Sequence, residues 1–161
     1  MISNKIDTIN ISNLLLDLSK LNSSIIWDVS HQGKQTGLQY KPGEDPWNSA
    51  VGKSKGEELQ YCELNQFFKD TIFETVINQY NLKRTRLMWI NPKSCYSLHQ
   101  DETPRIHIPL ITNPECYFLF SPGELLHLPT GSVWWVNTKL KHTFLNCSNY
   151  PRLHLVGVVE N

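Results

Sequence analysis

Residues 99–110 read HQDETPRIHIPL, and this stretch decides the fold. Side chains along a β-strand alternate between the two faces of its sheet. In the run RIHIPL, Arg105 and His107 therefore share one face, while Ile106 and Ile108 share the other. We expect the apolar face to pack on helices, which turns the charged face toward the interior of a β-structure.

A second run repeats this pattern. Residues 152–158 read RLHLVGV, so Arg152 and His154 lie on one face and Leu153 and Leu155 on the other. A buried charge without a partner is unfavourable. Two strands that both direct arginine inward therefore indicate a pocket for a polar ligand rather than a packed interior.

The second half of the chain is rich in short β-type runs separated by turn residues. Eight short strands with tight connections predict a mainly β fold, either a sandwich or a barrel. The runs are TRLMWIN, CYSLH, RIHIPLIT, CYFLF, ELLHLP, SVWWVN, HTFLN and RLHLVGVV.

The first half of the chain has sequence patterns that are typical of helices and loops. Apolar residues at helical spacing predict helices at residues 11–21 and 62–81. Between them, residues 31–58 are rich in Gly, Pro and Lys, which predicts a long surface loop with a short strand at residues 38–40. Loops of this length are often functional lids or rims, so we expect substrate selection here. We expect one domain over residues 1–161, with a helical and loop part at 1–82 and a β core at 83–161.

Charge and composition exclude some functions. Fifteen basic residues balance fifteen acidic ones, so neither nucleic acid nor an anionic membrane surface is an expected partner. No signal peptide or membrane-spanning run is visible, and we expect a cytoplasmic protein. The four cysteines form no CxxC pair and are expected to be free thiols.

Three residues outside the alternating runs suggest a metal site. His99 and Asp101 lie two apart on one side of an extended segment, and His142 lies on a later strand. Two imidazoles and one carboxylate are typical ligands of non-haem Fe(II), although zinc accepts similar ligands. Arg152 is expected on the antiparallel neighbour of the His142 strand, where its guanidinium could bind the far carboxylate of a dicarboxylate that chelates the metal. This arginine favours Fe(II) over zinc.

The order of these elements resembles the aspartyl/asparaginyl β-hydroxylase family of 2-oxoglutarate-dependent oxygenases, near which bacterial proline hydroxylases also belong. The resemblance covers about residues 84–159 and consists of HQD, RIHIPL, GSVWWVN, HTFLN and RLHL in that order. It implies a double-stranded β-helix core, a jelly-roll of the cupin type, with the N-terminal helices packed on one sheet.

The resemblance also implies roles for individual residues. His99, Asp101 and His142 would be the Fe(II) ligands, and Arg152 would bind the distal carboxylate of 2-oxoglutarate. The expected reaction is hydroxylation of an amino acid, free or peptide-borne and similar to Asp, Asn or Pro, with release of succinate and CO2. The alternatives are a cupin-like metal-dependent isomerase or hydrolase, or a non-catalytic β-barrel that binds a small molecule. The oligomeric state stays open.

Two further residues match an R-x-H element of the family. The resemblance implies that Arg105 and His107 contact the cosubstrate or the substrate carboxylate. Alternatively, they form a buried hydrogen-bonded pair with a glutamate. Met88 stands where some family members use a serine to bind 2-oxoglutarate, so that contact is not expected here.

Overall fold

The computed structural model describes residues 1–53 and 56–160. Positions 54–55 of the predicted loop and position 161 of the predicted domain lie outside the described residues.

In the N-terminal part, the described residues form five strands, two α-helices and three short 3-10 helices. In chain order these are β1 (Ser3–Thr8), α1 (Ser12–Leu21), a 3-10 helix (Asn22–Ser24), β2 (Asp28–Val29), β3 (Gly33–Gly37), β4 (Gln39–Tyr40), a 3-10 helix (Glu58–Gln60), β5 (Glu63–Leu64), a 3-10 helix (Gln66–Phe68) and α2 (Ile72–Gln79).

Eight strands follow, one for each run that the sequence predicts. They are β6 (Lys83–Ile90), β7 (Ser94–Cys95), β8 (Arg105–Ile111), β9 (Cys116–Phe120), β10 (Glu124–Leu126), β11 (Ser132–Val136), β12 (His142–Asn146) and β13 (Arg152–Val158).

The strands form two large antiparallel sheets. The major sheet has the order β1-β11-β8-β13-β6-β3-β2, the minor sheet has the order β10-β9-β12-β7, and β4 and β5 form a separate pair. Few helices and two large sheets confirm the prediction of a mainly β fold. All four cysteines are free thiols, as expected. Among the described residues, no helix has the length and apolarity needed to cross a membrane.

The helices cover the outer face of the major sheet. Leu14 and Leu18 of α1 and Phe73 of α2 belong to one buried cluster with the apolar sheet residues Ile106 and Ile108. These are the isoleucines that alternate with Arg105 and His107 in β8. Burial of this face against the helices confirms the predicted direction of the alternation and leaves the opposite face for the cavity.

The predicted helix at residues 62–81 is wrong in its first half. Asn65 accepts a hydrogen bond from the backbone N–H of Phe67 at 3.1 Å, which stabilises a 3-10 turn. Asp70 then adopts a left-handed backbone conformation with φ 59°, which interrupts a right-handed helix. Only α2 remains, and its first N–H donates to the Asp17 carboxylate of α1 at 2.9 Å.

The N-terminal part also supplies strands where the sequence predicted helix and loop. Strand β1 pairs with β11 at one edge of the major sheet, and β3 pairs with β6 near the other edge. Gly33 permits the second pairing, because a Cβ there would lie 2.0 Å from the Trp89 carbonyl oxygen. Glycine in the 31–58 segment therefore reflects close strand contact as well as turns. The predicted short strand at 38–40 is present as β4.

Candidate metal centre and active site

Three side chains converge as the sequence predicted. One possible ligand atom from each of His99, Asp101 and His142 lies within 4.8 Å of the other two. The backbones of His99 and His142 exchange two hydrogen bonds of 2.9 and 2.8 Å, which fixes the two imidazoles side by side. Their ring centroids are 4.5 Å apart.

Both imidazoles are oriented by backbone carbonyls. The Nδ1 of His99 lies 2.7 Å from the Ser97 carbonyl oxygen, and the Nδ1 of His142 lies 2.8 Å from that of Leu140. A carbonyl only accepts, so each Nδ1 carries the proton and each Nε2 is left with a free lone pair. Burial, followed by the neighbouring His99, lowers the pKa of His142 and so favours the neutral ring that a metal requires.

Asp101 lies next to the two imidazoles. Its backbone N–H donates to the Thr138 carbonyl at 2.9 Å, and one carboxylate oxygen lies 3.9 Å from the His142 Nε2. Two neutral imidazole nitrogens and one carboxylate oxygen form a donor set that suits Fe(II) or a similar divalent ion. The described residues offer three ligand atoms to such an ion, which would leave other coordination positions for small ligands.

The three residues border a cavity of about 560 Å³. The major sheet contributes side chains of β6, β8 and β13, and the minor sheet contributes Phe118, His142 and Phe144 of β9 and β12. The cavity therefore lies between the two sheets. The segment at residues 31–58 also reaches it through Gln35, Gly52, Lys53 and Glu58, which supports the expected rim role.

Arg152 enters this cavity from the sheet opposite His142. The sequence placed the two residues on neighbouring antiparallel strands, but β12 belongs to the minor sheet and β13 to the major sheet. The short connection between them crosses from one sheet to the other instead of forming a hairpin. His142 and Arg152 thus line one cavity from two sheets, although their strands do not pair.

The Arg152 guanidinium has no anionic partner among the described residues. The side chain is 2% exposed, its Nε has no hydrogen-bond partner there, and no carboxylate in 1–53 or 56–160 lies within 4.0 Å. Its central carbon lies 3.4 Å from the centre of the Phe144 ring. Burial lowers the pKa of Arg152 to about 9, which is still high enough to keep the group charged at neutral pH. A buried, unpaired guanidinium is a ready site for an anion.

Arg105 also borders the cavity, but a protein carboxylate binds it. Its Nη1 and Nη2 donate to the two oxygens of Glu58 at 2.8 and 2.7 Å. Arg84 donates to the same carboxylate at 2.5 Å, and the Thr103 hydroxyl donates as well. Although burial alone would raise the pKa of Glu58, Arg105, Thr103 and Arg84 together hold it below its usual value. The alternative pairing with a glutamate is therefore confirmed for Arg105.

His107 contacts other rings, whereas Arg105 binds a carboxylate. It is buried at the cavity wall, its ring lies edge-on to Phe118 at 4.9 Å, and its Nδ1 lies 3.4 Å from the Nδ1 of His154. Burial, with the charge of Arg152 next, lowers the pKa of both histidines well below 6.5. Both are neutral at pH 7, and His154 is not among the three residues that could hold a metal.

Sequence reasoning missed Arg84, Arg86 and Glu58. Arg84, Arg86 and Met88 alternate along β6 and all line the cavity. The inverted alternation that identified Arg105 was visible here too, in the run RTRLM. Glu58 gave no comparable signal, because nothing local distinguishes it from the exposed Glu57 beside it.

Comparison with known proteins agrees with this geometry. The sequence model of the aspartyl/asparaginyl β-hydroxylase family matches residues 12–161, and the chain belongs to that family. A curated relative is L-proline cis-4-hydroxylase from Rhizobium meliloti (strain 1021), which is 27% identical over 137 residues. This alignment covers 81% of the chain and 46% of the relative, so the chain spans about half the length of that protein.

Solved structures share the fold. An oxidoreductase of the 2OG-Fe(II) oxygenase family from Burkholderia pseudomallei superposes with a TM-score of 0.61 at 12% identity, over 97% of this chain and 82% of the other. The DMSP lyase DddQ from Ruegeria pomeroyi DSS-3 superposes with a TM-score of 0.56 at 12% identity, over 96% and 67%. These likenesses support the predicted jelly-roll core. They do not identify the reaction that the protein catalyses, because proteins of one fold catalyse different reactions.

Proposed function

We propose that the protein is an Fe(II)- and 2-oxoglutarate-dependent dioxygenase that hydroxylates an amino acid, free or within a peptide. One observation carries the proposal. Two imidazoles and a carboxylate converge at one cavity that also holds a buried, unpaired guanidinium. The two imidazoles and the carboxylate can hold a metal. The guanidinium can bind the free carboxylate of a dicarboxylate whose other end chelates that metal.

The metal ligands would be the Nε2 atoms of His99 and His142 and the carboxylate of Asp101. The carbonyl contacts at both Nδ1 atoms fix the tautomer that this arrangement needs. An Nη of Arg105 also lies 3.4 Å from the Asp101 carboxylate, and this ion pair orients the carboxylate.

Arg152 would bind the distal carboxylate of 2-oxoglutarate. A planar guanidinium gives two parallel hydrogen bonds to a carboxylate, and burial strengthens them. The Phe144 ring supports the guanidinium from one side and limits its movement. Met88, which lines the same cavity, offers no hydroxyl to share this contact.

Fe(II) with 2-oxoglutarate would supply oxidative hydroxylation of a C–H bond, with succinate and CO2 as coproducts. The protein would align the substrate in the cavity between the two sheets. The family name, which refers to Asp and Asn, and the proline hydroxylase among the relatives both support an amino-acid substrate.

The test is anaerobic addition of Fe(II) and 2-oxoglutarate to the purified protein. We expect the weak visible absorption of a 2-oxoglutarate chelate, followed in air by succinate that depends on an added amino acid. Asp101→Ala should weaken iron binding by at least about tenfold. Glu102→Gln, an exposed carboxylate one residue away, is the matched control and should keep the absorption band.

Three results would contradict the proposal. They are no band with the wild type, no succinate with L-proline, L-aspartate, L-asparagine or short peptides that contain them, and unchanged iron affinity in Asp101→Ala. Binding of zinc with hydrolysis or isomerisation would instead favour the cupin-like alternative.

A further inference from the structure

Four arginines border the cavity, and they fall into two groups. Arg84 and Arg105 share the Glu58 carboxylate, with three nitrogen–oxygen distances between 2.5 and 2.8 Å. Neither Arg86 nor Arg152 has a carboxylate partner within residues 1–53 and 56–160. The protein itself therefore compensates one pair and leaves the other pair to ligands.

Arg86 is as poorly paired as Arg152. It lies on β6, is 7% exposed, and its Nε has no hydrogen-bond partner among the described residues. One Nη donates to the amide oxygen of Gln35 at 3.3 Å, a long contact with a neutral group. No carboxylate oxygen in 1–53 or 56–160 lies within 4.0 Å of it. Such a group is unfavourable unless an anion binds to it during function.

The two unpaired arginines lie at different positions along neighbouring strands, Arg86 in the middle of β6 and Arg152 at the start of β13. In the pairing of β6 with β13, Arg86 lies opposite Val156, whereas Arg152 lies opposite Ile90. The four-residue offset separates their backbone positions by about 13 Å along the strands. Arg86 lies toward the Glu58 group, where Gln35, Arg84 and Arg105 also border the cavity.

Binding of 2-oxoglutarate would not give Arg86 an anionic partner. A 2-oxoglutarate that chelates the metal through its keto acid end has a single free carboxylate, which Arg152 would bind. Among the described residues, the carboxylates at the cavity wall do not pair with Arg86. Glu58 binds two arginines, Asp101 would bind the metal, and the exposed Glu102 forms no ion pair with Arg86 within 4.0 Å. The cavity therefore keeps positive charge after the metal and 2-oxoglutarate are bound.

We infer that Arg86 binds a carboxylate of the substrate and is a specificity-determining residue of this enzyme. The inference rests on the proposed function and narrows it, because it requires a substrate with an unblocked carboxylate. A free amino acid satisfies this through its α-carboxylate. A residue within a peptide satisfies it through an acidic side chain or, at the C-terminus, through the terminal carboxylate.

The first test measures the stability of Arg86→Met without ligands. Removal of an unpaired buried charge should leave the melting temperature unchanged or higher. A clearly lower melting temperature would mean that Arg86 is needed by the fold, and would overturn the inference. This readout does not depend on metal, cosubstrate or turnover.

The second test uses the anaerobic absorption band with bound 2-oxoglutarate. L-Proline, L-aspartate and L-asparagine are titrated into wild type and Arg86→Met, alongside prolinamide and asparaginamide, which carry no carboxylate. We expect at least one amino acid to perturb the wild-type band. Its affinity should fall by about 30-fold or more in Arg86→Met, whereas the carboxamide should bind both proteins equally weakly.

Arg152→Met is the matched control, since it removes the other unpaired guanidinium. It should weaken 2-oxoglutarate itself, while Arg86→Met should keep the band. Loss of the band in Arg86→Met, undiminished amino-acid affinity in that variant, or a wild-type band that no carboxylate perturbs would each overturn the inference. A wild type without any band would instead refute the proposed function.

Discussion

Glu58 is the carboxylate whose loss should affect the protein most. It is 3% exposed and receives both Nη groups of Arg105, one of Arg84 and the Thr103 hydroxyl. Glu58→Gln keeps the shape and removes the charge, so Arg84 loses its carboxylate partner and Arg105 is left with the Asp101 carboxylate at 3.4 Å. Removal of one partner from a buried ion pair destabilises proteins by about 3 to 5 kcal/mol.

The assay is urea unfolding at pH 7, followed by fluorescence. With an m-value of about 2 kcal/mol per molar urea, the midpoint should fall by about 2 M. Glu57→Gln is the control, because Glu57 is exposed and adjacent, and its midpoint should shift little. Equal midpoints for the two variants would refute the view that Glu58 holds the two arginines.

The pH dependence gives an independent check on Glu58. Its pKa in the folded protein is below the ordinary value of 4.5, so between these two values the unfolded chain binds more protons. The stabilisation is therefore complete above pH 4.5 and is lost as the pH falls through the folded pKa. Glu58→Gln should lose less stability than the wild type over this acid range, and a parallel loss would contradict the assignment.

Two further variants test the other buried groups of the cavity. Arg152→Met should retain iron but weaken 2-oxoglutarate by about 30-fold or more, as measured by titration of the absorption band, and unchanged affinity would place the carboxylate site elsewhere. His154→Gln should reduce the pH dependence of stability below pH 6.5. The reason is that burial holds the pKa of His154 well below 6.5, so the unfolded chain binds the extra proton and the wild type loses up to about 1.4 kcal/mol per pH unit. The exposed His31→Gln is the control for urea unfolding between pH 5 and 7, and identical slopes for the wild type and His154→Gln would refute the effect.

The positions of the core strands could be predicted because strand signals are local. Seven of the eight predicted runs contain a strand, and β7 overlaps the remaining run, CYSLH, only at Cys95. The alternation in β8 correctly separates the cavity face from the helix-covered face. The same rule applied to β6 would have identified Arg86. The first half was harder to predict. Strand β3 forms because Gly33 permits contact with β6, a partner more than fifty positions away.

The sequence by itself determined which residue types alternate along each strand, and hence that arginine and histidine face a cavity while isoleucine and leucine pack on helices. It also determined the metal-binding residue types at positions 99, 101 and 142. Only the tertiary structure decided how the arginines are paired. Glu58 meets Arg105 across 47 positions, and Arg152 faces the metal residues from the opposite sheet. Side-chain alternation is set by the backbone over a few residues, whereas charge pairing depends on the path of the whole chain.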